Sequence, residues 1–181
     1  MVTSVKGRNS RYWIKKLQLS QHPEGGFYRE TYRADVAINL FTETGNSRQK
    51  DSAKGRLISS TIYYLLEGDQ KSVFHRMKNS DEIWHFYTGS SLTIFMINEI
   101  NRGISELKLG DSPERGELFQ IHIKRGSWFG AIVNELSSYA LVGCTVFPAF
   151  SFEDCEIADR KRLTALYPEH KSIIEMLTRT Q

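Results

Sequence analysis

The sequence predicts an all-β domain of the sandwich or barrel kind, with helices confined to the two ends of the chain. Three observations predict it. Eight or more short stretches of alternating apolar and polar residues follow one another between residues 57 and 146. Turns containing glycine or polar clusters separate them. The apolar spacing takes the helical period only before residue 20 and after residue 160.

In chain order, residues 9–19 carry Tyr12, Trp13, Leu17 and Leu19 around Lys15 and Lys16, the pattern of a short amphipathic helix. His22-Pro23-Glu24-Gly25-Gly26 breaks it, because proline and paired glycines punctuate regular structure. Residues 27–33 are aromatic-rich and alternating, hence a strand. The polar stretch 42–55 reads as a long mobile loop. Strands are then expected over 61–66, 72–77, 82–88, 91–97, 104–109, 118–123, 127–133 and 139–146. The tail returns to the helical period over 160–166 and 168–177, with Pro168 at an initial position that tolerates it. There is no internal repeat and no linker.

At 181 residues the chain suits one domain with a sizeable core. Its apolar fraction of 40% and charged fraction of 25% belong to an ordinary globular protein. A net charge of +3, with scattered basic residues, argues against a nucleic-acid partner. The basic run 48–56 reads as a solvated loop. No apolar run approaches the ~20 residues of a membrane span, and residues 1–8 lack the apolar segment of a signal peptide. The cytoplasm is the expected compartment, with no membrane partner. Two cysteines make no disulfide framework, and Cys144, inside an apolar run, reads as a small buried hydrophobe.

The most informative stretch is 74–89, where His75, Met77, Glu82 and Gly89 stand in a β context. This layout resembles the first motif of the cupin superfamily, G-x5-H-x-H-x(3,4)-E-x6-G. Gly68 opens it one residue early, and Met77 stands at the second histidine. Residues 22–33, 60–66 and 141–152 resemble one small uncharacterised cupin family, and with the central motif they span roughly residues 11–157. The second superfamily motif is barely kept: Gly126 remains, but Lys124 stands at the proline, Phe129 at the histidine and Val133 at the asparagine. The resemblance implies a single cupin double-stranded β-helix (jelly-roll) barrel over about 24–157, with short N-terminal and C-terminal helices, and a homodimer. It also implies an altered metal site, since two of three imidazoles are missing. No metal is expected at full occupancy, because the thioether of Met77 poorly suits the cations cupins usually hold.

On that template His75 faces the interior with Val73 and Met77, as do Glu82, Trp84 and Phe86 on a neighbouring strand. His75 is the expected proton-transfer group. Glu82 is expected either to pair with His75 or an arginine, or to have its pKa raised by burial. Asp81 should point outward and cap a turn. Tyr64, Met77, Trp84, Phe86 and Trp128, with Phe129, supply an aromatic and apolar wall suited to a small polar, sugar-like ligand. Arg29 and Arg33 share one face and Glu30 the other, without the sequence deciding which is inside; Arg29 is the candidate anion-binding group. His85 and His122 are alternative ligands for a noncanonical metal. His22 and His170 read as structural or surface residues. The expected function is a metal-independent isomerase or epimerase, resembling the deoxysugar 3,5-epimerases, with Glu82 orienting His75 and Tyr64 as an acid. The alternatives are a non-catalytic binding protein and a divalent-metal lyase or dioxygenase.

Overall fold

The structure, a computed structural model, describes residues 8–38, 41–44, 47–50, 55–98 and 101–179. Helix α1 (Ser10–Lys16) starts where the Asn9 side chain accepts from the Tyr12 amide at 3.0 Å. Then come β1 (Ser20–Gln21), β2 (Phe27–Arg33), β3 (Ala37–Ile38), β4 (Phe41–Thr44), β5 (Ser47–Lys50), β6 (Arg56–Leu57) and β7 (Ser60–Glu67). The central strands are β8 (Lys71–Met77), β9 (Asp81–Gly89), β10 (Leu92–Ile97) and β11 (Ile104–Leu109). The remaining ones are β12 (Glu117–Leu118), β13 (Gln120–Ile123), β14 (Trp128–Val133), β15 (Tyr139–Phe147) and β16 (Cys155–Ile157). Helices α2 (Arg160–Leu166) and α3 (Lys171–Leu177) end the chain, with a 3-10 turn at Pro168–His170 between them. Among the described residues no helix is long and apolar enough to cross a membrane.

Two six-stranded sheets face each other in the double-stranded β-helix arrangement. One runs β1-β2-β7-β15-β9-β13, the other β12-β11-β10-β14-β8-β16. Among the described residues no backbone ladder joins them, so the barrel is open at its seams. Two expectations change. The polar stretch 42–55 contains the β4–β5 hairpin, Phe41 pairing with Lys50, while residues 45–46 and 51–54 lie outside the described ones. The single strand expected over 118–123 is two, because Glu117 and Leu118 pair parallel to β11 in one sheet whereas 120–123 pair with β9 in the other.

Strand alternation divides the apolar residues among three clusters. Between the sheets lie Leu92, Ile94, Leu109, Ala131 and Val133 with Tyr64, Trp84 and Phe129. Phe74, Phe95 and Trp128 project from the opposite face and are covered by Leu163, Tyr167, Ile174 and Leu177 of the terminal helices. Helix α1 covers Leu65 and Leu141 on the outer face of the first sheet. The terminal helices therefore keep a second sheet face dry.

Candidate functional site

At one end of the interior the sheets part around a cavity of about 260 Å³. Its inner wall is made by His75 and Met77 on β8, by Glu82 and Trp84 on β9, and by Tyr64 and Ile62 on β7. Tyr28, Glu30 and Arg33 of β2 stand with Phe150 and Phe152 at its edge. The 22–26 turn supplies the rest. Gly25 has φ +111°, and a Cβ there would lie 2.1 Å from the Lys71 carbonyl, so only glycine fits. That close approach lets the Val73 amide donate to the Glu24 carbonyl at 3.0 Å and the Tyr64 hydroxyl to the Gly25 carbonyl at 2.8 Å. The turn is thereby docked on both sheets, and it carries the Glu24 side chain into the cavity.

His75 is 2% exposed and both of its ring nitrogens are engaged. Nδ1 lies 2.8 Å from the Val73 carbonyl, which can only accept, so Nδ1 carries hydrogen. Nε2 then faces the Glu24 carboxyl Oε2 at 3.2 Å. Two acceptors do not approach so closely without a proton between them, so the His75–Glu24 pair holds one proton between its two groups. The second carboxyl oxygen of Glu24 accepts from the Cys155 thiol at 3.3 Å. His22 completes this side. Its Nδ1 accepts the Glu24 amide at 3.2 Å, and burial lowers its pKa, against a smaller upward pull from Glu24. His22 is thus a neutral imidazole, and its 3.9 Å approach to the Glu24 carboxylate is not an ion pair.

Glu82 faces this group from the other sheet. It is 7% exposed, and its Oε1 accepts from the Trp84 indole N–H at 2.7 Å. Burial raises its pKa to about 7, with Glu24 adding to the rise and His75 opposing it. The thiols of Cys144 and Cys155 are both pushed up, first by burial and then by a neighbouring carboxyl, so neither is a nucleophile at neutral pH. Burial likewise raises Tyr64 well above the usual phenol range.

Tyr64, Met77 and Trp84 line the cavity with His75 and Glu82. Several expectations are corrected. His75 and Glu82 lie on facing sheets, not on neighbouring strands, because β8 pairs with β14 and β16 while β9 pairs with β13 and β15. The carboxyl in contact with His75 is Glu24 rather than Glu82. With its proton committed to the Gly25 carbonyl, Tyr64 holds the turn rather than serving as an acid. Trp128 points away from the cavity, under the terminal helices, where the Arg76 guanidinium lies 4.5 Å over its ring. Its neighbour Phe129 takes the inner face, 4.0 Å from the His75 ring centroid. Arg29 lies on the outer face beside Phe27 and bonds Gln18 at 3.3 Å. Arg33 would share that face, but the β2–β7 register slips between Glu30 and Tyr32. The bulge brings Arg33 to the cavity with Tyr28 and Glu30. Phe86 packs against the interior cluster but outside the cavity.

His85 is on the outer face with Thr145 and Gln120, each 3.1 Å away. His122 is exposed, and His170 bonds the Arg102 carbonyl at 2.6 Å on the surface. Asp81 accepts the Arg125 amide at 2.9 Å as an outward turn cap. His22, expected to be structural or superficial, lines the cavity. Glu24 was missed outright, and the sequence signal available for it was the Gly25-Gly26 pair, which marks a turn pressed against another chain segment.

The fold family implies a metal, and these donors do not fit one. Among the described residues no group of three or more histidine, cysteine, aspartate or glutamate side chains has metal-holding geometry. His85 and His122 are turned away, and the positions of the two lost imidazoles are filled by Met77 and Phe129.

Comparison with known proteins agrees with this architecture. Protein SO0799 from Shewanella oneidensis is 37% identical over 96% of this chain and 99% of its own, with a TM-score of 0.83. A hypothetical protein from Leishmania major is 29% identical over 96% and 100%, with a TM-score of 0.84. The uncharacterized protein YML079W of Saccharomyces cerevisiae is 26% identical over 145 residues, 78% of this chain and 71% of its own. Residues 11–158 match the family described as Cupin superfamily (DUF985), and the chain belongs to that family.

Proposed function

We propose that the protein is a metal-independent proton-transfer enzyme, an isomerase or epimerase of a small, sugar-like carbonyl compound held in the cavity. The observation that carries this reading is the His75–Glu24 contact, two proton-accepting groups sharing one proton beside the cavity, with Glu82 opposite. The pair has room for a second proton, which it takes from the carbon next to the substrate carbonyl. The electron pair left behind moves onto the carbonyl oxygen. Glu82, whose pKa of about 7 keeps a substantial fraction protonated at neutral pH, donates its proton to that oxygen. Returning the proton to the same carbon from the other face, while Glu82 takes back the enol proton, gives epimerisation; returning it to the former carbonyl carbon, while Glu82 takes the proton of the neighbouring hydroxyl, gives isomerisation. Trp84 and Met77 exclude water from the intermediate.

The test is solvent exchange. Candidate aldoses and ketoses are incubated with the protein in deuterium oxide and followed by proton NMR. Loss of the signal next to the carbonyl is expected, and His75→Gln or Glu24→Gln should slow it by ~10²–10⁴-fold. Sugar binding without exchange would leave a plain binding role.

A further inference from the structure

The balance of charge around the cavity narrows the class of molecule it takes, a step that rests on reading it as the site of a small carbonyl compound. Three carboxyl groups line it, Glu24, Glu30 and Glu82, against one guanidinium and two imidazoles. The guanidinium is engaged. Arg33 forks onto Glu30, with Nη2 2.6 Å from Oε2 and Nε 3.0 Å from Oε1, and donates through Nη1 to the Phe150 carbonyl at 3.0 Å. His75 shares its proton with Glu24, and His22 is neutral. What remains is Glu82, which is either uncharged or negative.

Among the described residues, then, no lining group has positive charge left over. A phosphate or carboxylate carried inside would face Glu82 and Glu24 in surroundings that screen charge poorly, and nothing would pair it. The groups that remain suit hydroxyls: carboxyl oxygens that accept, the Tyr28 phenol, and the apolar lining around Tyr28, Met77 and Trp84 for the C–H groups of such a molecule. We infer that the molecule converted here enters the cavity without a negative charge, as an uncharged hydroxyl-bearing aldehyde or ketone. A sugar phosphate, a uronate or the diphosphate of a nucleotide sugar is excluded from it.

The experiment is calorimetric titration of the intact protein near pH 7 with fructose, glucose, their phosphate monoesters and glucuronate. Each neutral sugar that binds should bind at least about tenfold more tightly than its anionic counterpart. Glu30→Gln releases the Arg33 guanidinium at a solvent-exposed position, where the fold tolerates the change. In that variant the affinity of each anionic member should gain at least about tenfold relative to its neutral counterpart. An anion that binds the wild-type protein as tightly as its neutral counterpart overturns the inference. So does a Glu30→Gln variant whose anion affinity has not moved relative to the neutral counterpart's, or the failure of every neutral sugar to bind. Failure of the proton-transfer reading looks different: neutral sugars bind selectively, but no deuterium is incorporated.

Discussion

The two ends of the space between the sheets are walled by the same two sheets and differ in kind. At one end Leu92, Ile94, Leu109 and Ala131 are completely buried and leave no room. At the other, β8 faces β7, β15 and β9 of the opposite sheet across a cavity that holds Glu24, His75 and Glu82, all nearly excluded from solvent. Burying ionisable groups costs stability that the filled end must offset. The contrast separates what holds the molecule together from what the molecule uses.

Truncation at the filled end tests that division most severely. Ile94→Ala should lower unfolding free energy by about 2–5 kcal/mol in urea titration, yet leave sugar-induced stabilisation intact in whatever fraction remains folded. If ligand response vanished while the fold survived, the two ends would not be independent.

At the open end the largest effect belongs to Glu82 and depends on pH. The folded protein holds this proton up to about pH 7, whereas the unfolded chain releases it near 4.5. Folding therefore takes up a proton across that window, and stability falls as pH rises through it. Glu82→Gln removes the slope and should be more stable than wild type by up to about 3 kcal/mol near pH 8, an advantage that fades near pH 4. His22 contributes the opposite sign: its lowered pKa means stability is lost as pH falls below about 6.5. Urea midpoints that show the same Glu82→Gln difference at both pH values would mean the carboxyl is not buried as described.

Gly25→Ala addresses the turn that ties the two sheets together at the cavity. The residue must keep φ +111° and avoid the Lys71 carbonyl, so a cost of about 1–3 kcal/mol is expected. Thermal unfolding should show this loss together with a weakened ligand response, since Glu24 moves with the turn. A response of wild-type strength would detach Glu24 from the site. The smallest effect is expected for Trp128→Phe, which removes the ring beneath Arg76 outside the cavity. Stability should fall by roughly 1 kcal/mol or less and ligand-induced thermal shift should be unchanged. Trp84→Phe, which removes the donor to Glu82, should alter that shift.

Much of the scaffold was legible because the signals are local. The strands between 60 and 147, except the one expected over 118–123, and the shared face of His75 with Met77 and of Glu82 with Trp84 follow from a pleat that repeats every two residues, and the terminal helices from the 3.6-residue period. Alternation assigns residues to two faces, however, without saying which is inside. On β14 both faces are buried, one by the opposite sheet and one by α2 and α3, so the apolar pattern could not separate Phe129 from Trp128. On β2 a single unpaired residue, Thr31, reverses the parity on which the reading of Arg33 depended.

The sequence by itself determined the fold family, the order of the strands and the location of the cavity on β8 and β9. Alternation and turn chemistry record the strand order directly, whereas the family and the cavity's place follow from the resemblance of residues 74–89 to the first cupin motif. Only the tertiary structure decided the partners. Glu24 lies 51 positions before His75 and meets it because a glycine turn docks on Val73. Cys155 reaches the same carboxyl from the strand that pairs with β8 at its outer edge. Which carboxyl shares a proton with the histidine, and which stands opposite with a raised pKa, depends on distance and burial across two sheets. No spacing along the chain encodes either.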